Sequence, residues 1–182
     1  MLCDLRSSKK TMSVWIGAIM WLSVGLFGTN DVQAAEPSSQ KPWSVGGALG
    51  YLANTPDGAA FALNFTGDVR LNERASFGPL LQLGFTGDLT LVGFSGQGKY
   101  AFPIEGSDKF KVLLQGGIGF VHADAGPSDT SFLIPLGVGL DYQINPQLAF
   151  KSDFLLNFTD LDHRGSYNDT NVMPSLTFGV RF

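Results

Sequence analysis

Cysteine is almost missing from this sequence, since Cys3 is the only one and it stands ahead of the first apolar run. A lipid-acylated cysteine must follow such a run, so Cys3 is no lipoprotein site. Disulfides, zinc–thiolate sites and thiol nucleophiles are excluded from the body of the chain for the same want of sulfur. Histidine is limited to His122 and His163. Charged residues make up 15% of the chain and the net charge is −4, which gives nucleic acid no basic footprint to bind. Long apolar runs are also missing. The longest, residues 13–27, covers about fifteen residues, where a helical membrane span needs roughly twenty. With 44% hydrophobic residues and 23 glycines, the composition excludes both disorder and a polytopic helical membrane protein.

The amino terminus has the make-up of a secretory signal. Lys9 and Lys10 supply a positive n-region, residues 13–27 the apolar core, and Gly28, Thr29 and Asn30 break it. Val32-Gln33-Ala34 then offers small residues where a signal peptidase reads, so cleavage is expected after Ala34. The expected organisation is a signal peptide over 1–34, a short polar leader over 35–42 and one domain over 43–182. Loss of Arg6, Lys9 and Lys10 with Asp4 and Asp31 takes the net charge from −4 to about −5.

From residue 43 onward the chain divides into segments of alternating character with no helical period: 43–53, 59–71, 75–86, 89–102, 110–123, 131–144, 148–159 and 171–182. One face of each is bulky and apolar, as in Phe61, Leu63 and Phe65, or Phe132, Ile134 and Leu136. The other mixes glycines (Gly46, Gly50, Gly117, Gly137, Gly139) with Asp68, Arg70, Lys99, Lys111, Asp141, Lys151, Asp153 and Arg181. Alternation defines two faces without saying which points inward. Size decides: glycines cannot fill the core of a soluble barrel, whereas long polar chains lying over small residues can fill a narrow lumen while the bulky face meets lipid. The expected fold is all-β, an eight-stranded antiparallel up-and-down transmembrane β-barrel, closed so that lipid meets no unpaired backbone.

Aromatics cluster toward both segment ends, as amphipathic rings do at membrane interfaces. Trp43, Tyr100 and Tyr142 mark the rim that carries the termini. Residues 72–74, 103–109 and 145–147 are expected as periplasmic turns, and 54–58, 87–88, 124–130 and 160–170 as extracellular ones. Three prolines strain this reading, because proline cannot donate to a strand ladder. Pro135 and Pro174 are expected near strand ends, and Pro79 casts doubt on the boundary of the third segment.

Gly116-Gly117-Ile118-Gly119-Phe120, the run Gly137-Val138-Gly139-Leu140-Asp141-Tyr142 with its Asn145-Pro146 turn, and the ending Leu176 to Phe182 resemble the small eight-stranded outer-membrane β-barrel superfamily. That superfamily includes the transmembrane domain of outer membrane protein A and the outer membrane protein X and W groups. The resemblance implies the outer membrane of a Gram-negative bacterium as location. It implies an assembly signal in Leu176, Phe178, Val180 and Phe182, read by the barrel-assembly machinery, with periplasmic chaperones assisting and outer-membrane lipid and lipopolysaccharide as lasting partners. A monomer is expected. Nothing after Phe182 resembles the peptidoglycan-binding domain of some members, and the short outer loops weaken an adhesin role.

Few residues offer chemistry. Lipid A deacylases on the same fold use a lipid-facing His and Ser with an acidic partner, but the local match here is His122-Ala123-Asp124, without the serine. His163 beside Asp160, Asp162 and Asp169 reads as a solvated acidic loop or as a divalent-cation site, with no EF-hand spacing to support the second. No catalytic, metal or cofactor site is therefore expected. The eight charged residues on the small face form the most informative polar set, in which Asp141 is expected to pair with Lys111 or Lys151. They read as a salt-bridged plug or, with five bases to three acids, as a narrow pore. The expected function is a non-enzymatic barrel with a structural, envelope-integrity or surface-interaction role. The alternative is a porin-like or facilitated-diffusion channel for small or apolar solutes, and a lipid A-modifying enzyme comes third.

Overall fold

The structure is a computed structural model that describes residues 42–87, 89–104, 106–124, 128–161 and 170–182. The expected signal peptide and all of the leader but Pro42 lie outside the described residues.

Eight strands follow one another without a helix among the described residues: β1 (Trp43–Thr55), β2 (Gly58–Arg70), β3 (Ala75–Phe85), β4 (Thr90–Ile104), β5 (Ser107–Asp124), β6 (Ser128–Asn145), β7 (Leu148–Leu161) and β8 (Thr170–Arg181). Each pairs antiparallel with the next, and β8 returns to β1, closing the barrel. The closing seam runs from Gly46 opposite Arg181 to Leu52 opposite Ser175. It is extended at its lower end by two backbone hydrogen bonds, Val45 N–H to the Phe182 carbonyl at 3.1 Å and Phe182 N–H to the Val45 carbonyl at 2.8 Å. The last residue is thus part of the wall.

Turn chemistry explains the tight connections at the end holding the termini. Asn72 accepts from the N–H groups of Arg74 and Ala75 at 2.9 and 2.7 Å, and Asn145 accepts from those of Gln147 and Leu148, both at 2.9 Å. These are Asx turns, in which a side chain replaces a backbone acceptor. Between β4 and β5 the chain turns through Gly106 at φ 85°, a region glycine enters without a Cβ penalty. This turn is shorter than the expected 103–109 loop because β4 runs on to Ile104 and β5 begins at Ser107. At the other end β6 begins at Ser128, inside the expected 124–130 loop.

The prolines also fall differently. Pro79 lies inside β3, opposite Gly96 of β4, so the strand boundary drawn there holds. Pro135 lies in the middle of β6, not near its end, and Pro174 is within β8. Each lies beside a lapse in one ladder while the other continues. β2–β3 pairing skips from Thr66/Leu80 to Val69/Phe77, and β5–β6 pairing skips from Gly116/Leu136 to Gly119/Leu133, both without a change of register. Pairing of β1 with β8 stops at Ser175, whereas Pro174 still faces Leu156 of β7. A closed barrel has no edge strand for proline, so it accepts one missing donor per site and keeps its register.

The bulky face points outward along the wall, with Val45, Leu49, Phe65, Phe94, Ile118, Phe132, Leu140, Phe154 and Phe178 among the exposed side chains. In water such a surface would be a large penalty, and against lipid it is the favourable one. The inward face has two layers. Asn64, Asp68, Gln97, Lys99, Gln115, Asp141, Lys151 and Asp153 are buried in the half nearer the termini. The outer half is mainly apolar, a cluster that includes Leu52, Leu91, Val121, Leu133 and Met173, with Gln82 and Asn157 buried among them.

Candidate functional site

The candidate site is the lumen, and the bridges between strands in its polar half follow one construction rule. A long side chain on one strand reaches over a small residue on the next strand to a partner on the strand beyond. Lys99 of β4 meets Asp68 of β2 at 2.8 Å over Ser76 and Gly78 of β3. Arg181 of β8 meets Asp141 of β6, with Nη2–Oδ2 at 2.6 Å and Nε–Oδ2 at 3.2 Å, over Ala149 and beside Lys151 of β7. Gln115 of β5 donates to Asp153 of β7 at 2.9 Å over Gly137 and Gly139 of β6. Asn64 of β2 reaches Thr177 of β8 at 3.5 Å over Ala48 and Gly50 of β1. In so narrow a lumen, a larger residue at the glycines of a middle strand would crowd the bridge that crosses them. A Cβ on Gly139 would lie 2.5 Å from Asp153 Oδ1.

Electrostatics favours the same arrangement. Lys99 and Asp68 expose only 4% and 7% of their side chains, and the Lys151–Asp153 pair, at 2.8 Å, is as deep. Charges so far from water are tolerable only with a partner and hydrogen bonds. Asp153 has both: Lys151 on Oδ2 and Gln115 on Oδ1.

Six of the eight charged residues expected in the lumen thus form three ion pairs. The partner of Asp141 differs from expectation. Lys111 and Lys151 flank it in strand register, but Lys151 turns to Asp153 and the carboxylate goes to Arg181. Lys111 is half-buried, and among the described residues no carboxylate lies within ion-pair distance of it. Arg70 is exposed at the mouth. Together with Lys99, Lys111, Asp141 and Arg181 it lines a vestibule of about 80 Å³ at the end of the barrel near Trp43.

Above the vestibule the lumen narrows. A cavity of about 10 Å³ lies beside Asn64, Gln97 and Asp153, and another of about 20 Å³ lies among Leu52, Leu91, Leu133 and Met173, with Gln82 and Asn157 in its wall. Each is about the size that one water needs. The apolar layer is the part sequence reasoning missed. Its signal was present in adjacent apolar pairs such as Leu91-Val92, Phe120-Val121 and Leu133-Ile134, which put one apolar residue on each face.

Two of the rim aromatics expected at the interface, Tyr100 and Tyr142, make tilted ring contacts on the outer surface. Tyr100 lies 4.9 Å from Phe102 and Tyr142 lies 4.6 Å from Phe110, ring centre to ring centre, while Trp43 is exposed. Leu176, Phe178, Val180 and Phe182 also face outward. At the opposite rim, His122 Nδ1 and Thr130 Oγ1 are hydrogen-bonded at 2.7 Å across the β5–β6 pair. His163, Asp162 and Asp169 lie outside the described residues. Among the described residues no three His, Cys, Asp or Glu side chains gather as metal ligands.

A closed antiparallel barrel with an apolar outer belt, aromatic rims and a packed, partly ionic lumen is a transmembrane barrel of the outer-membrane class. Residues 14–182 match the family model described as the outer membrane protein beta-barrel domain, and the chain belongs to that family. Its place is the bacterial outer membrane. The solved structure of Neisserial surface protein A is similar at a TM-score of 0.62 and 18% identity, over 78% of this chain and 96% of that one. The N-terminal β-barrel domain of Pseudomonas aeruginosa OprF is similar at a TM-score of 0.51 and 13% identity, over 76% of this chain and 97% of that one. These likenesses concern the fold. No curated protein sequence matches the chain.

Proposed function

We propose that this protein is a non-enzymatic, non-conducting barrel that serves the integrity of the outer membrane as a structural element. The observation that carries the reading is a lumen obstructed twice by different chemistry. The ionic layer of Lys99–Asp68, Arg181–Asp141 and Lys151–Asp153 lies below an apolar layer of Leu52, Leu91, Val121, Leu133 and Met173. A hydrated ion meets an apolar constriction, and an apolar solute meets buried ion pairs, so neither kind has a continuous path. A porin-like channel would have to rearrange both layers together. In this reading the lasting partners are lipid and lipopolysaccharide around the belt, the barrel-assembly machinery and periplasmic chaperones act during biogenesis, and the barrel works as a monomer. Liposome swelling tests it: vesicles carrying the protein are expected to swell in a pentose solution no faster than protein-free vesicles. Rapid swelling would turn the reading to the channel.

A further inference from the structure

Because the lumen is blocked above it, the vestibule is a blind pocket, and its lining is unbalanced in charge. Six cationic side chains border it against three carboxylates, those of Asp68, Glu73 and Asp141. Asp153, the partner of Lys151, lies deeper and brings the ratio to six against four. Two of the lining carboxylates are already committed: Asp68 holds Lys99 and Asp141 holds Arg181, each through Oδ2. Their other oxygens, Oδ1 of each, are buried without a hydrogen-bond partner, and each carboxylate's charge is offset by its own cation. Beside the one uncommitted carboxylate, Glu73, what the pocket presents is cationic: Lys111, half-buried and without an ion-pair partner among the described residues, with the guanidinium group of Arg74 at the mouth.

We infer that this periplasmic vestibule is a binding site for a phosphate group, with Lys111 as its central contact. A tetrahedral oxyanion matches the surplus of positive charge. Guanidinium forks and an ammonium are the donors that recognise phosphate oxygens. At about 80 Å³ the pocket offers several times the roughly 10–15 Å³ that a single water needs. A water-filled mouth walled by protein also concentrates the field of its charges, so an anion is drawn in more strongly there than on an open surface. The phosphate has two possible sources, a soluble phosphate of the periplasm or the headgroup of a phospholipid in the periplasmic leaflet at the rim.

Calorimetric titration of the full-length protein, isolated in neutral detergent and phosphate-free buffer, tests the site with two probes. One is inorganic phosphate; the other is a short-chain phosphatidic acid, with the phosphate-free diacylglycerol of the same chain length as its blank. Saturable binding of either is expected, weakened about tenfold or more in Lys111→Gln, in line with loss of a charge-assisted hydrogen bond, and largely regained in Lys111→Arg. The probe that binds tells which source the pocket serves. Unboiled-gel mobility of both variants shows that the barrel is folded. No saturable binding with either probe, or equal binding by wild type and Lys111→Gln, would overturn the inference.

Discussion

Arg181 and Asp141 join at 2.6 Å although a whole strand, β7, lies between the strands that carry them. On β7 the gap is flanked by Ala149, opposite Arg181, and by Lys151, opposite Asp141, whose ammonium turns away to Asp153. The same geometry recurs at Lys99–Asp68 over β3 and at Gln115–Asp153 over β6. In this lumen the small residues set the ion pairs as much as the charged ones do, because a bridge to the second-neighbour strand needs an unoccupied middle.

The Lys99–Asp68 pair is expected to be worth little against an apolar replacement and much against a half-removal. Lys99→Met leaves Asp68 buried without its cation and should cost about 3–5 kcal/mol. Adding Asp68→Asn should return a large part of that loss. Urea unfolding of the refolded protein in phosphatidylcholine vesicles, read by unboiled-gel mobility, measures both. A double variant as unstable as the sum of the single ones would show that the two residues are not coupled.

Glycine positions divide by face. A Cβ on Gly137 would run into the Phe154 carbonyl oxygen of the neighbouring strand, whereas one on Gly47 meets only the Phe65 ring, at 3.9 Å. Gly137→Ala is therefore expected to destabilise the barrel by about 1–3 kcal/mol, and Gly47→Ala to stay within about 0.5 kcal/mol. The same unfolding assay separates them.

Much of this was legible in the sequence because alternation and side-chain size are both local. Phe61, Leu63 and Phe65 could only belong to one face, and glycines sharing the other with Lys99 and Asp141 pointed to a lumen filled by long polar chains. The ion-pair partners were not legible. Register placed Lys111 and Lys151 beside Asp141, but the choice of Arg181 depends on reach across a curved wall, which spacing along a strand does not encode. The apolar layer escaped for a different reason: Leu52, Val121 and Met173 break strict alternation, and a two-face reading leaves them without a place. Pro135 misled because a mid-strand proline costs one donor there, not the strand.

Maturation has a direct chemical readout. Protein isolated from the outer membrane is expected to begin Ala35-Glu36-Pro37 on N-terminal sequencing, which leaves Trp43 as its one tryptophan. Its fluorescence should then be quenched more by lipids brominated near the headgroup than by lipids brominated at the chain end, as befits an interfacial ring. A start at Met1, or the reverse order of quenching, would count against the assigned cleavage site or rim.

Phe182 closes the seam through its backbone and carries the last outward ring. Phe182→Ala keeps the two backbone hydrogen bonds and removes only the ring. Less folded barrel in the outer membrane, with unchanged unfolding of the fraction that does fold, is the outcome expected if the ring serves assembly. An equal yield would remove that role.

Single-channel recording in a planar lipid bilayer bears most directly on the closed lumen. Wild-type protein, shown to be inserted by its heat-modifiable band, is expected to give a featureless trace at high protein and high salt. Leu133→Gly alone should do the same because the ionic layer remains, while Leu133→Gly combined with Lys99→Ser and Asp68→Ser should give discrete steps. Reproducible conductance steps from the wild-type protein would contradict the account.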